Sequence, residues 1–338
     1  MDLSTWHDMR TRDRRRLTLG SAQWGMPYGI ANHTGPPDED ELIAMLTRAR
    51  AAGVGIIDTA RAYGESELAI GRALRADQFG GAGEGFRVVT KLDPSVHSPG
   101  LDILETFDRA NASLCRSREA LGLDVLPTLL LHRFAHRHAC GGKLWRLLLA
   151  ERDAGRIGAL GVSAASPEEA WAALEDPDVQ VLQVASSLLD LRLHQQGFFP
   201  RARELGRTVY VRSVFLQGVA HLDPAALPAH LAPLAPAMQR IASFAQELGV
   251  PSRALYLGFA RELLPGAYPV VGCEREAQLA ELLEDWTNES VDAAALTSLV
   301  EALPLQEAEI VDPSKWPAGK TESELNRTAR PSIAKLTT

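Results

Sequence analysis

Three ionisable side chains each close a short apolar run: Asp58 after GII, Lys91 after RVVT and His132 after TLLL. Runs of this kind read as buried parallel strands, so all three residues fall where a strand opens into a loop. A single charge there reads equally well as an ordinary strand terminator, but three on consecutive strands point to a site. A lysine at the mouth of a buried sheet is costly without a carboxylate, and Asp58 on the adjacent strand is its natural partner. Tyr63 follows in DTARAYGESE, where Gly64 lets the chain turn and ESE opens a helix. An isolated loop tyrosine is most often packing. Beside Lys91, however, its phenol feels a positive charge that favours the phenolate and lowers the pKa, as a general acid working near neutral pH requires. The segment HRFAHRHAC, with His132, His136, His138 and Cys140, has metal-like spacing. It runs from a strand into a loop, has no second cluster and carries two arginines that repel a cation, so no metal is expected.

The elements that must carry these residues alternate in type. The strand-like runs are LTLG ending at Gly20, GIIDT at Thr59, RVVTKL at Leu92, PTLLLH at His132, GALGVS at Ser163, VLQVAS at Ser186, TVYVRSV at Val214 and YPVVGC at Cys273. Longer amphipathic stretches separate them. In DEDELIAMLTRARAAG, Leu42, Ile43, Leu46, Ala49 and Ala52 recur at helical spacing and Gly53 closes the end, which predicts a helix. ESELAIGRALR, TFDRANASLCRSREALG, KLWRLLLAERDAG and PEEAWAALED read likewise. Such alternation specifies a parallel sheet joined by right-handed crossovers. Eight strands favour closure into a (β/α)8 TIM barrel, whose reactions take place at the C-terminal ends of the strands. Two helical patterns, 236–249 and 252–264, predict an extra helix before the eighth strand. The expected division is a basic leader over 1–15, one barrel over 16–311 and a polar tail over 312–338. The tail is expected to be extended or disordered, with a segment packed across the barrel as the alternative.

Asp58, Tyr63, Lys91 and His132, as they stand in IIDTARAYGESE, VVTKL and LLLHR, resemble in order, spacing and strand placement the catalytic tetrad of the aldo-keto reductases. The resemblance, to a bacterial member of that family, runs from about Leu17 to Trp286 and takes in GSAQWG, GALGVS and PVVG at the first, fifth and eighth strands. It implies hydride transfer from a nicotinamide to a carbonyl carbon, with Tyr63 donating the proton to the oxygen. His132 and Tyr63 would stabilise the charge developing on that oxygen, Lys91 would tune Tyr63, and Asp58 would hold Lys91. The cofactor implied is NADP(H), with NAD(H) as the alternative. It would lie extended across the barrel mouth without a glycine-rich dinucleotide fingerprint, and none follows a strand here.

By the same resemblance Ser163 and Gln183 hold the nicotinamide carboxamide, Ser21 and Ala22 lie near the nicotinamide ribose, and Arg212 stacks on the ring where many members use tyrosine. Ser213, Phe215, Gln217 and Gly218, in the SVFLQG variant of the seventh-strand loop, match the loop that wraps the pyrophosphate. Gly272, Glu274, Arg275, Gln278 and Glu281 fall in the segment that meets the adenosine end. For the substrate, Trp24 and Phe134 would form an apolar wall, with Tyr28 and Arg133 beside it; plain loop packing is the competing reading for each. The chain departs from the family pattern at Ala164, Gln278 and Leu282, where an asparagine, a basic residue and an asparagine are usual. Two acids, Glu274 and Glu276, leave Arg275 as the lone countercharge for a 2′-phosphate. Preference for NADP(H) therefore comes from the resemblance and not from these residues.

Composition bounds the alternatives. With 46% hydrophobic residues in 338, the chain can bury a sizeable core. Lys and Arg number 35 against 43 Asp and Glu, a net charge of −8, which disfavours a nucleic-acid binder. The basic run RTRDRRR, 10–16, lacks an apolar face and reads as a solvated leader. No apolar stretch reaches the roughly 20 residues of a membrane span, and no signal-peptide core is present. Cys115, Cys140 and Cys273 are odd in number and widely spaced, which fits reduced thiols in the cytoplasm. The expected partner is a small carbonyl or sugar; oligomeric state is not readable. Three other readings keep the barrel: a sugar or polyol dehydrogenase running oxidatively, a nucleotide-binding sensor with little turnover, or a barrel that has lost its activity.

Overall fold

Eight short strands run parallel around a ring: β1 (Thr18–Gly20), β2 (Ile56–Asp58), β3 (Arg87–Leu92), β4 (Leu126–Leu131), β5 (Ile157–Ser163), β6 (Val181–Ala185), β7 (Thr208–Arg212) and β8 (Tyr268–Gly272). Each pairs with the next, and β8 returns to β1 through Leu19 and Val271, so the barrel closes. The coordinates are a computed structural model, which describes residues 16–30, 32, 34–76, 79 and 85–317. The leader over 1–15 and the tail beyond 317 lie outside the described residues.

Strands buried on both faces read as continuous apolar runs, and the two faces meet different neighbours. One set of side chains, Val89, Leu130, Val181 and Tyr210, with Ile56, Ala159, Tyr268 and Val270 packed against it, fills the barrel interior. The other set meets the helices in the larger core. Side chains two apart on a strand share a face, and this periodicity aims the site. Asp58 follows Ile56, Lys91 follows Val89, His132 follows Leu130, Gln183 follows Val181, Arg212 follows Tyr210 and Gly272 follows Val270, each on the inward face one step nearer the mouth.

Helices cover the outside: α1 (Glu39–Ala51), α2 (Ser66–Leu74), α3 (Ile103–Leu121), α4 (Ala139–Asp153), α5 (Pro167–Glu175), α6 (Phe198–Glu204), α7 (Ala235–Leu248), α8 (Ser252–Gly258) and α9 (Glu276–Trp286). Their starts are specified locally. Asp38 and Asp102 accept the Glu41 and Glu105 amides at 2.8 Å, and Ser166 accepts that of Glu169 at 3.3 Å, which satisfies first-turn donors. The pair α7 and α8 supplies the extra helix between β7 and β8, and α8 runs into a π turn over Phe259–Leu263. Of the stretch expected as tail, 312–317 is described: Pro313–Lys315 forms a 3₁₀ turn, and the Trp316 indole donates to the Ile310 carbonyl at 2.9 Å. Among the described residues no helix is long and apolar enough to cross a membrane.

Candidate active site

At the mouth of β2 and β3, Lys91 Nζ donates to both oxygens of Asp58 at 2.8 Å and to the Thr59 carbonyl at 2.9 Å. Lys91 is fully buried and Asp58 nearly so. Burial alone works against the ammonium, but the charges of Asp58 and Tyr63 outweigh it and hold the Lys91 pKa above its ordinary value. The Nζ faces the Tyr63 ring, 4.9 Å from its centroid. Asp58 Oδ1 also accepts from Gln183 Nε2 at 2.7 Å. Gln183, expected at the nicotinamide carboxamide, thus spends one donor orienting Asp58 while still lining the cavity.

The loop that presents Tyr63 is fixed at several points. The Tyr63 amide bonds the Ala60 carbonyl at 3.0 Å, and the Tyr63 carbonyl accepts from Ser66 at 3.1 Å. Arg61 pairs with the wholly buried Glu67, which also accepts from Thr90 Oγ1, both at 2.5 Å. On the other side the loop touches the first-strand turn so closely that a Cβ on Gly25 would fall 2.0 Å from the Tyr63 carbonyl. Gly64 turns with φ +56°, a left-handed conformation that glycine adopts without a steric penalty. Neither Gly25 nor Glu67 stands out in the sequence, because their role is contact between segments that are distant along the chain.

His132 sits edge-on to Tyr63, ring centroids 5.9 Å apart. Its Nδ1 is buried without a partner among the described residues. Burial, then the charges of Lys91, Arg212 and Arg133, lower its pKa from 6.5 to about 3, so the imidazole is neutral at pH 7.

From Asp58 and Tyr63 a cavity of about 380 Å³ extends across the mouth. Ser21, Ala22 and Tyr28 line it from the β1 side, Arg212, Ser213, Phe215, Gln217 and Gly218 from the β7 side, and Gly272, Glu274, Gln278 and Glu281 from the β8 side. In the β7 loop Ser213, Leu216, Gln217 and Gly218 all have positive φ. Turns of this kind can direct successive backbone N–H groups toward one point and form concavities for anions. Arg212 donates to the Ala164 carbonyl at 3.2 Å and to Ser213 Oγ at 3.3 Å and has no carboxylate partner among the described residues.

Besides Lys91 and His132, five other expected residues lie off the cavity wall. Trp24 is 2% exposed, and its indole N–H donates to the Cys273 carbonyl at 2.8 Å; it belongs to the core because its turn of helix, Ala22–Gly25, faces it inward. Phe134 packs edge-on to His138, Arg133 is exposed, and Ser163 pairs in register with Gln183 at the end of β5. Arg275 donates to the carbonyls of Glu274 at 2.7 Å and Thr34 at 3.1 Å, which ties it to backbone.

Arg253 and Asn32 are among the lining residues that the sequence did not single out. Arg253, from α8, pairs with Glu281 at 2.8 Å and with Asp285. Asn32 accepts the Thr34 and Gly35 amides at 3.0 and 3.1 Å, while its buried Nδ2 has no partner among the described residues. A buried donor left unsatisfied on a cavity wall is costly unless a ligand meets it. With the positive-φ loop after β7, it makes the elongated cavity a fit for a dinucleotide.

Known proteins carry the same plan. The family model described as Aldo/keto reductase family matches residues 16–302. An aldo-keto reductase of Mycobacterium avium (strain 104) is 30% identical over 167 residues, covering 49% of this chain and 53% of the relative. One of Mycolicibacterium paratuberculosis (strain ATCC BAA-968 / K-10) is 32% identical over 135 residues, 40% and 42% of the two chains. The chain thus spans about half the length of the curated relatives it matches. Among solved structures, aldo-keto reductase AKR11C1 from Bacillus halodurans, in its holo form, has a TM-score of 0.64 at 15% identity over 87% of this chain and 95% of that one. Glycerol dehydrogenase AKR11B4 from Gluconobacter oxydans has a TM-score of 0.64 at 20% identity over 90% and 94%. At such identities the likeness shows the fold. The family match, which runs from two residues before β1 to beyond α9, establishes that this chain belongs to the aldo-keto reductase family, whose members are oxidoreductases acting on carbonyls.

Proposed function

We propose that the chain reduces an aldehyde or ketone to an alcohol with a nicotinamide dinucleotide, Tyr63 delivering the proton to the carbonyl oxygen. The observation that carries this reading is the buried Lys91–Asp58 pair set against the Tyr63 ring at the head of the cavity. An ion pair sunk in a barrel mouth is weak support for stability, so its position beside a phenol favours a chemical role. When bound, the cofactor supplies a hydride to the carbonyl carbon. The remaining work falls to this chain's own residues. His132, neutral with a pKa of about 3, offers the substrate oxygen a hydrogen bond and not a proton, which leaves Tyr63 as the acid. Loss of the phenol proton leaves a negative oxygen near the Lys91 ammonium, and Asp58, itself steadied by Gln183, keeps that ammonium in place. Ser21, Ala22, Gln183 and Arg212 would hold the nicotinamide half, and the β7 loop with Asn32 the phosphates. NADP(H) and NAD(H) carry the same reacting ring, so this chemistry is common to both.

The test is turnover of NADPH and NADH against a panel of aldehydes, keto-sugars and quinones, with polyols and the oxidised cofactors as the reverse arm. Tyr63→Phe is expected to lower kcat by roughly 10²- to 10⁴-fold while nucleotide affinity holds. Retained turnover in that variant overturns the assignment of Tyr63; tight nucleotide binding with no turnover across either panel replaces catalysis with sensing.

A further inference from the structure

Resting on the reading of the cavity as a dinucleotide site, we infer that this chain selects NAD(H) over NADP(H), because the wall at the β8 end presents carboxylates and no uncommitted cation. Glu274, Glu281, Gln278 and Leu282 form that wall together with Arg253. Glu274 is 8% exposed, and its carboxylate has no ion-pair partner among the described residues. Arg253 is shared between Glu281 and Asp285, so its guanidinium is already matched by two carboxylates and leaves Glu274 without a countercharge. Gln278, at the position where the family usually carries a base, is committed to capping α9: its Oε1 accepts the Glu274 and Arg275 amides at 2.7 and 3.1 Å.

Arg275 is the other cation of this segment, and it is bonded to two backbone carbonyls off the cavity wall. To reach a phosphate it would have to break both bonds, and it would then stand beside Glu274. A 2′-phosphate brings close to two negative charges to a wall already negative, and like charges at short range disfavour binding. A 2′-hydroxyl instead donates a hydrogen bond, and an ionised carboxylate accepts one. The carboxylates that repel NADP(H) are therefore suited to hold the ribose of NAD(H), as an acidic residue does in other dinucleotide sites.

Titration calorimetry of the full-length protein with NADH and with NADPH, at low and at raised ionic strength, tests this without recourse to activity. The expected result is NADH binding roughly tenfold or more tighter than NADPH, a gap that narrows with salt as charge repulsion is screened. Glu274→Gln is expected to shrink the gap, and Glu274→Lys to close or invert it; thermal unfolding of each variant checks that the fold is kept. Arg275→Ala is expected to leave the ratio of affinities unchanged. NADPH binding as tightly as NADH, or a loss confined to NADPH in Arg275→Ala, overturns the inference and leaves the dinucleotide site standing. Binding of neither nucleotide to the folded protein removes the dinucleotide site itself, and the inference with it.

Discussion

His132 shows how one residue's surroundings set its chemistry. A histidine at a strand end in an open loop would titrate near pH 6.5, but here burial and three neighbouring cations bring its pKa to about 3. Because the folded form binds its proton more weakly than the unfolded chain, this group adds no pH dependence above 6.5, and it costs stability progressively as pH falls from 6.5 toward 3. The full effect is on the order of a few kcal/mol. Denaturant unfolding at a series of pH values should therefore show the stability of wild type relative to His132→Gln falling through that window; a difference that stays constant would mean the imidazole is not held neutral. Asp58, Lys91 and His132 were legible because they end consecutive apolar runs, and Tyr63 because it follows Asp58 in the loop beside Lys91. The bond from Gln183 to Asp58 was not, since nothing along the chain links positions so far apart.

At the scale of elements, the position of Tyr63, the proposed acid, depends on two loops pressed together. The turn after β1 and the loop after β2 approach so closely at Gly25 that an added Cβ would sit 2.0 Å from the Tyr63 carbonyl and 2.3 Å from the Ser66 amide. Backbone atoms cannot swing aside as a flexible side chain can, so Gly25→Ala must displace the segment that carries Tyr63. The expected outcome is a fall in kcat of about tenfold or more, since a displacement near 1 Å can cost on the order of a hundredfold, together with a lower melting temperature. Steady-state kinetics and thermal unfolding check this, and wild-type values for both would show that the loop does not depend on this contact. Strand and helix positions were readable from pattern and caps. The inward turn of Trp24 was not, because loop sequences carry no periodicity to say which way a side chain faces.

Over the whole molecule, the cavity is walled by loops that also bond to one another. The Ile30 amide reaches the Gln217 carbonyl at 3.0 Å, and Arg275 reaches Thr34 at 3.1 Å, joining the β1 loop to those after β7 and β8. A dinucleotide held across all three binds the folded state alone, and at a hundredfold excess over Kd it adds about 2.7 kcal/mol. A rise of several degrees in melting temperature is expected with the preferred nucleotide; calorimetric binding with no such rise would show that these loops unfold apart from the barrel. By itself the sequence determined the alternation that closes a barrel and the order of Asp58, Tyr63, Lys91 and His132 along it, because strand burial and helix capping act over a few residues and leave local patterns. Only the tertiary structure decided which cation faces the β8 end of the cavity, Arg253 and not Arg275, and that carboxylates crowd it there. That choice depends on which backbone carbonyls and acids from remote segments lie within reach of each guanidinium, a matter of distance in space that spacing along a chain does not record.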